Sequence, residues 1–80
     1  MPLLTVKIIE GVFSPRQKQE MIEKLTDTMV SIEGENLRPY TTVLLEEVKT
    51  GDGGVGGHGL TTGEVKQMQA QKPREAAHAR

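Results

Sequence analysis

The sequence predicts an α/β fold built on one β-α-β unit with parallel strands, and three observations predict it. The first is an apolar stretch rich in β-branched residues, Leu3-Leu4-Thr5-Val6-Lys7-Ile8-Ile9, bounded by Pro2 and by Glu10-Gly11. The second is the run Ser14-Pro15-Arg16-Gln17, a helix start signal, followed by apolar residues at helical spacing. The third is a further strand-like stretch, residues 41–48, that closes in Glu46-Glu47-Val48. A strand, a helix of about five turns and a strand form a crossover unit, which packs back on its own sheet only in the right-handed sense and with the strands parallel.

Each element has its own local cause. In the first stretch Leu4, Val6 and Ile8 share one strand face while Leu3, Thr5, Lys7 and Ile9 share the other. Neither face is wholly polar, so both are expected to be covered. Before the helix, Ser14 stands at the cap, Pro15 at the first helical position and Gln17 at the third, the pattern of a capping box. Ile22, Leu25, Met29 and Ile32, widened by Met21 and Thr28, mark the expected buried stripe, with Glu20 and Lys24 paired on the opposite side. Gly34 is a left-handed stop by type, and Glu35 to Tyr40 reads as the return loop.

Seven of the nine glycines fall between Gly51 and Gly63. Gly51, Gly53 and Gly56 match G-x-G-x-x-G in letter, but a dinucleotide fingerprint belongs between a first strand and a helix with an acidic residue about 20 positions later. Only 24 residues follow Gly56, and no further strand is evident among them. Turning backbone, a hairpin or a lid, is the better reading. Residues 60–80 are polar, and Val65, Met68 and Gln71 suggest at most two helical turns before Pro73. The expected domain organisation is residues 1–63 as the folded unit and residues 64–80 as a poorly ordered tail that carries His78.

Composition excludes several functions. Ten basic against eleven acidic residues give a net charge of -1, which argues against nucleic acid as a partner, and there are too few aromatic side chains for a stacking platform. No apolar run approaches the ~20 residues of a membrane span and there is no secretory start, so a soluble cytoplasmic protein is expected. The chain lacks cysteine and has two histidines, so no metal site is expected. Two parallel strands and one helix leave a sheet face open, and so small a sheet is unstable alone. Assembly with further copies or with a sister chain is therefore expected.

Pro2 is a candidate for chemistry. With Met1 removed its nitrogen is a secondary amine, a base whose ordinary pKa of about 8 falls on burial or beside a cation. Proline after an initiator methionine can also mean nothing more than a start of translation. Together with the strand, helix and strand and with the turn Gly54-Val55-Gly56-Gly57 behind an acidic-ended strand, however, Pro2 gives the chain a specific likeness. Over about residues 2–63 it resembles the 4-oxalocrotonate tautomerase family.

The resemblance implies a β-α-β subunit that pairs into a four-stranded sheet, in a hexamer or another dimer-based assembly, with sites where subunits meet. It implies keto-enol isomerisation of a small enol or 2-oxo acid without a cofactor, Pro2 serving as general base. In relatives an arginine follows the first Glu-Gly, another stands early in the second strand, and an aromatic residue precedes the glycine turn. Val12, Thr42 and Gly53 occupy those positions here. The substrate contacts implied are thus Arg38, Thr42, Gly53 and Val55, with Lys7, Phe13 and Arg16 as further side chains near them in sequence. The alternative function is a non-catalytic or weakly active structural subunit of such an assembly.

Overall fold

Pairing of the two long strands sets the frame. The computed structural model describes residues 2–71. β1 (Leu3–Ile9) and β2 (Thr42–Val48) run parallel in a two-stranded sheet, in register from Leu3 opposite Thr42 to Ile9 opposite Val48. The crossover between them is α1 (Pro15–Glu33), which starts at the far end of β1 and returns toward the start of β2. Its capping box is formed in full. The Gln17 N–H donates to Ser14 Oγ at 3.1 Å, and the Ser14 N–H donates to Gln17 Oε1 at 2.9 Å. The Glu20–Lys24 pair closes at 2.7 Å on the solvent side.

α1 buries a face rotated from the expected stripe. Ile22, Leu25 and Met29 are half-buried, but Ile32 is 77% exposed, and the core position is Val30 at 6%. The two-stranded sheet explains the difference, since it is narrower than the apolar arc of the helix. The flank bearing Met21 and Leu25 instead faces a groove of about 470 Å³, shared with Val6 and Phe13 beside the unpaired edge of β1. Among the described residues only Val12 and Val30 are buried apolar side chains. Burying such a side chain is worth about 1.5–3 kcal/mol, so one copy of the chain holds a small core. The sheet face away from α1 is open as well, with Leu3 64% and Leu44 44% exposed beside the Lys7–Glu46 pair. A single copy therefore covers one sheet face and leaves the other open, as expected of two parallel strands and one helix.

Beyond α1 the structure sharpens four expectations. Gly34 does end the helix, its N–H donating to the Val30 carbonyl at 2.8 Å, but at φ 105° and ψ 149° it is not left-handed helical. The return loop is a 3-10 helix, α2 (Glu35–Tyr40). The glycine-rich segment is the expected hairpin, β3 (Gly53–Val55) antiparallel to β4 (His58–Leu60), turning on Gly56 and Gly57 at φ 60° and 84°, the positive values a two-residue hairpin turn demands; β4 is a strand after Gly56, where none was evident, and three residues are too few to show a strand pattern. Finally, Thr62–Ala70 form a nine-residue helix, α3, which matches the two turns expected before Pro73 and is firmly capped. The cause is a second capping box, with the Glu64 N–H donating to Thr61 Oγ at 3.2 Å and the Thr61 N–H donating to Glu64 Oε1 at 3.0 Å. Residues 72–80, with Pro73 and His78, lie outside the described residues.

Candidate functional site

Pro2 sits where the parallel ladder begins. Its carbonyl accepts the Thr42 N–H at 3.2 Å, which fixes the residue at the open end of the sheet, beside the carboxyl end of α1 and the 3-10 turn. Pro2 is half-buried and Thr42 exposed; the bond uses the Thr42 backbone, and among the described residues its hydroxyl has no hydrogen-bond partner. Tyr40, two residues earlier, is 54% exposed.

The polar groups at this end are largely engaged with one another. The Thr41 hydroxyl bonds Glu33 and the Leu37 carbonyl. Arg38 reaches Asp27 Oδ1 at 2.9 Å and both oxygens of Glu35, and these two carboxylates, Glu35 foremost, hold its guanidinium above its ordinary range. The same contact with Arg38 draws the Glu35 carboxyl below the usual carboxylate value. Arg38 is thus neutralised twice over. Among the described residues the basic side chains outside any ion pair are Arg16, Lys49 and Lys66. All three belong to the opposite end, where α1 starts, β2 stops and α3 lies.

That opposite end also holds the remaining candidates. Gly53 and Val55 are on β3, beyond the carboxyl end of β2, with Val55 71% exposed. β1 separates the two ends by roughly 20 Å, at about 3.3 Å per residue. One copy therefore brings Pro2 to Thr42, with Arg38 on the adjoining turn, and leaves Gly53 and Val55 remote. A site containing all five would draw on more than one copy. Val12, the position where the resemblance implies an arginine, is 7% exposed and belongs to the core of the single copy.

The far end is ordered by residues that sequence reasoning passed over. Glu10 uses three groups: its N–H donates to the Val48 carbonyl at 2.8 Å, its Oε2 accepts the Thr50 N–H at 3.1 Å, and its carbonyl accepts the Thr62 hydroxyl. The Thr62 N–H in turn donates to Thr50 Oγ at 2.7 Å, and the Gly51 N–H donates to the Leu60 carbonyl at 2.9 Å. Sheet, hairpin and α3 are tied by this network. The sequence signal that could have found it is Thr61-x-x-Glu64, a capping pattern as plain as Ser14-x-x-Gln17.

Three kinds of likeness coincide with this geometry. The family model described as tautomerase enzyme matches residues 2–63. The probable tautomerase K2 of Dickeya dadantii (strain 3937) is 34% identical over 62 residues, spanning 76% of this chain and 90% of that protein. Of solved structures, the apo unfused 4-OT is similar with a TM-score of 0.66 at 27% identity, over 74% of this chain and 93% of that one. DmpI from Helicobacter pylori is similar with a TM-score of 0.63 at 30% identity, over 72% of this chain and 94% of that one. The matched span begins at the proline on which the ladder starts and takes in the crossover helix and the glycine hairpin, so the chain belongs to the tautomerase family.

Proposed function

We propose that the chain is a cofactor-independent keto-enol isomerase in which Pro2, freed by removal of Met1, is the general base. A secondary amine with a modestly lowered pKa takes a proton from the hydroxyl of an enol, or from carbon beside a carbonyl, and returns it elsewhere on the same conjugated system. The observation that carries this reading is the position of Pro2 at the open end of the sheet, where its carbonyl accepts the Thr42 N–H.

The substrate class is a small enol or 2-oxo acid. Thr42 stands beside the base and offers a hydroxyl to a substrate oxygen. Arg38 is the cation of this end, and a substrate carboxylate would have to displace Glu35 or Asp27 to reach it. Gly53 and Val55 would form pocket wall in a neighbouring copy, since their own strand end is remote from their own Pro2. This is why an oligomer, a hexamer or another dimer-based assembly, belongs to the proposal. The unpaired edge of β1, the groove lined by Phe13 and Met21, and the open face at Leu3 and Leu44 are the surfaces available for it.

A second reading is favoured by the state of the charges: a non-catalytic or weakly active subunit of a homo-oligomer or of a mixed assembly with a sister chain. Its support is that Arg38 is taken up by two carboxylates and that Val12 lies in the core. The two readings separate on one preparation. Intact mass establishes whether Met1 is present, and ketonisation of a small enol is then followed for the Pro2-terminated chain and for a form with Met1 retained. Under the proposal the first is active and the second, whose Pro2 nitrogen is an amide, is not. Equal rates would refute it.

A further inference from the structure

We infer that Glu64 is a positioning residue for the β3-β4 hairpin, bridging His58 on β4 to the Thr61 cap of α3 so that the hairpin is held more tightly when His58 is protonated. This rests on the proposed function in one respect, that the hairpin is pocket wall. The carboxylate divides its two oxygens. Oε1 accepts the Thr61 N–H at 3.0 Å and lies 3.2 Å from the Thr61 hydroxyl, while Oε2 lies 3.1 Å from His58 Nε2.

The hairpin needs such a tie. Its strands are three residues each, and a lone two-stranded hairpin is marginal in water. α3 itself is anchored to the sheet ends through both polar groups of Thr62. Glu64 therefore joins the least supported element to an element already fastened to the core.

Asp52 and Lys49 lie on the turn before β3, Glu10 at the end of β1, and Lys66 on α3; among the described residues the ion-pair partner of His58 is Glu64 alone. Glu10 is occupied by the Thr50 N–H. The His58 contact first, and the Thr61 N–H next, draw the Glu64 carboxyl below the ordinary value, so it stays ionised through the range in which imidazoles change charge. A neutral ring gives Glu64 an ordinary hydrogen bond, and a protonated ring gives a charge-assisted one roughly twice as strong. The hold is therefore tighter with the ring protonated than with it neutral.

Amide hydrogen exchange at Gly51, whose N–H is bonded to the Leu60 carbonyl, reads the hairpin directly in the full chain. After correction for intrinsic exchange, protection is expected to be about two- to fivefold greater near pH 5.5 than near pH 8, the modest size proper to an exposed pair. Glu64→Gln keeps an oxygen for the Thr61 cap but loses the charge, and His58→Gln loses the imidazole; each is expected to abolish the difference, while Lys66→Gln leaves it intact. Equal protection at both pH values, or a difference that persists in either Glu64→Gln or His58→Gln, overturns the inference. The measurement needs no turnover, so an inactive protein would sink the proposed function while this result stood separately.

Discussion

Replacing Gly54 by alanine tests the hairpin at its tightest point. A Cβ on Gly54 would lie 2.5 Å from the His58 carbonyl oxygen, 2.9 Å from its carbon and 3.1 Å from the Gly59 Cα. All three are backbone atoms, so no side-chain rotation relieves the overlap. Ordinary contact begins near 3.4 Å, and one strand must move by close to an ångström across a ladder of three residue pairs. Overpacking of this kind costs about 1–3 kcal/mol, or roughly five- to 150-fold in the equilibrium for opening the hairpin. Gly53→Ala is the matched control, because its Cβ would meet Val48 Cγ1 at an ordinary 3.9 Å. Exchange of the Gly51 amide should accelerate by that factor in Gly54→Ala and stay within about twofold of the parent in Gly53→Ala, while amides in the centre of α1 are unchanged. Identical exchange in the two variants would refute the close pairing of Gly54 with Gly59.

Other expectations follow from the same contacts. Ser14→Ala removes half of the first capping box and should lower stability by about 1 kcal/mol, seen as a shift in denaturant midpoint at constant slope. Val30→Ala empties one of the two buried apolar positions and should cost about 1–3 kcal/mol in the same assay, more than Ile32→Ala, whose side chain is 77% exposed. Lys18 lies 2.7 Å from Glu47 and, ahead of the Gly11 N–H, holds that carboxyl below its ordinary value of 4.5. A lowered carboxyl contributes stability that is present above the ordinary value and lost as pH falls through the lowered one; Lys18→Met should therefore flatten the acid limb of a stability-pH curve below about pH 4.5 and leave neutral-pH slopes alone. Arg38→Ala discriminates between roles: if the guanidinium only ties the 3-10 turn to Asp27, turnover of charged and uncharged enols falls together, whereas a carboxylate contact would raise KM for the charged substrate alone.

Much of this was legible in the sequence, and the reasons are local. Ser14-Pro15-Arg16-Gln17 announces α1 because a capping box is satisfied within four residues. The β-branched runs announce β1 and β2 because a half-buried strand selects those side chains, and the length of the intervening helix leaves the parallel pairing as the natural one. Ile32 went wrong for a non-local reason: periodicity gives the width of an apolar arc, while the part of it that one copy covers depends on a sheet only two strands wide. α3 was underread because its periodicity is weak and its stability comes from Thr61, Glu64 and the anchor at Thr62, contacts made with Thr50 and Glu10 more than ten residues away. Of the candidate site, Pro2 is the residue that sequence position alone singles out. Its surroundings were not legible, since Arg38 is claimed by Asp27, eleven residues distant, and Gly53 and Val55 stand at the other end of the strands.

The most direct test of the central claim is the rate of enol ketonisation by the Pro2-terminated protein compared with Pro2→Ala. A positioned general base contributes about 10²- to 10⁴-fold, so kcat/KM should fall by at least about 10²-fold while the protein keeps its fold and its oligomeric state. An undiminished rate in Pro2→Ala would contradict the account, because the proton would then have to be moved by a group other than the proline nitrogen.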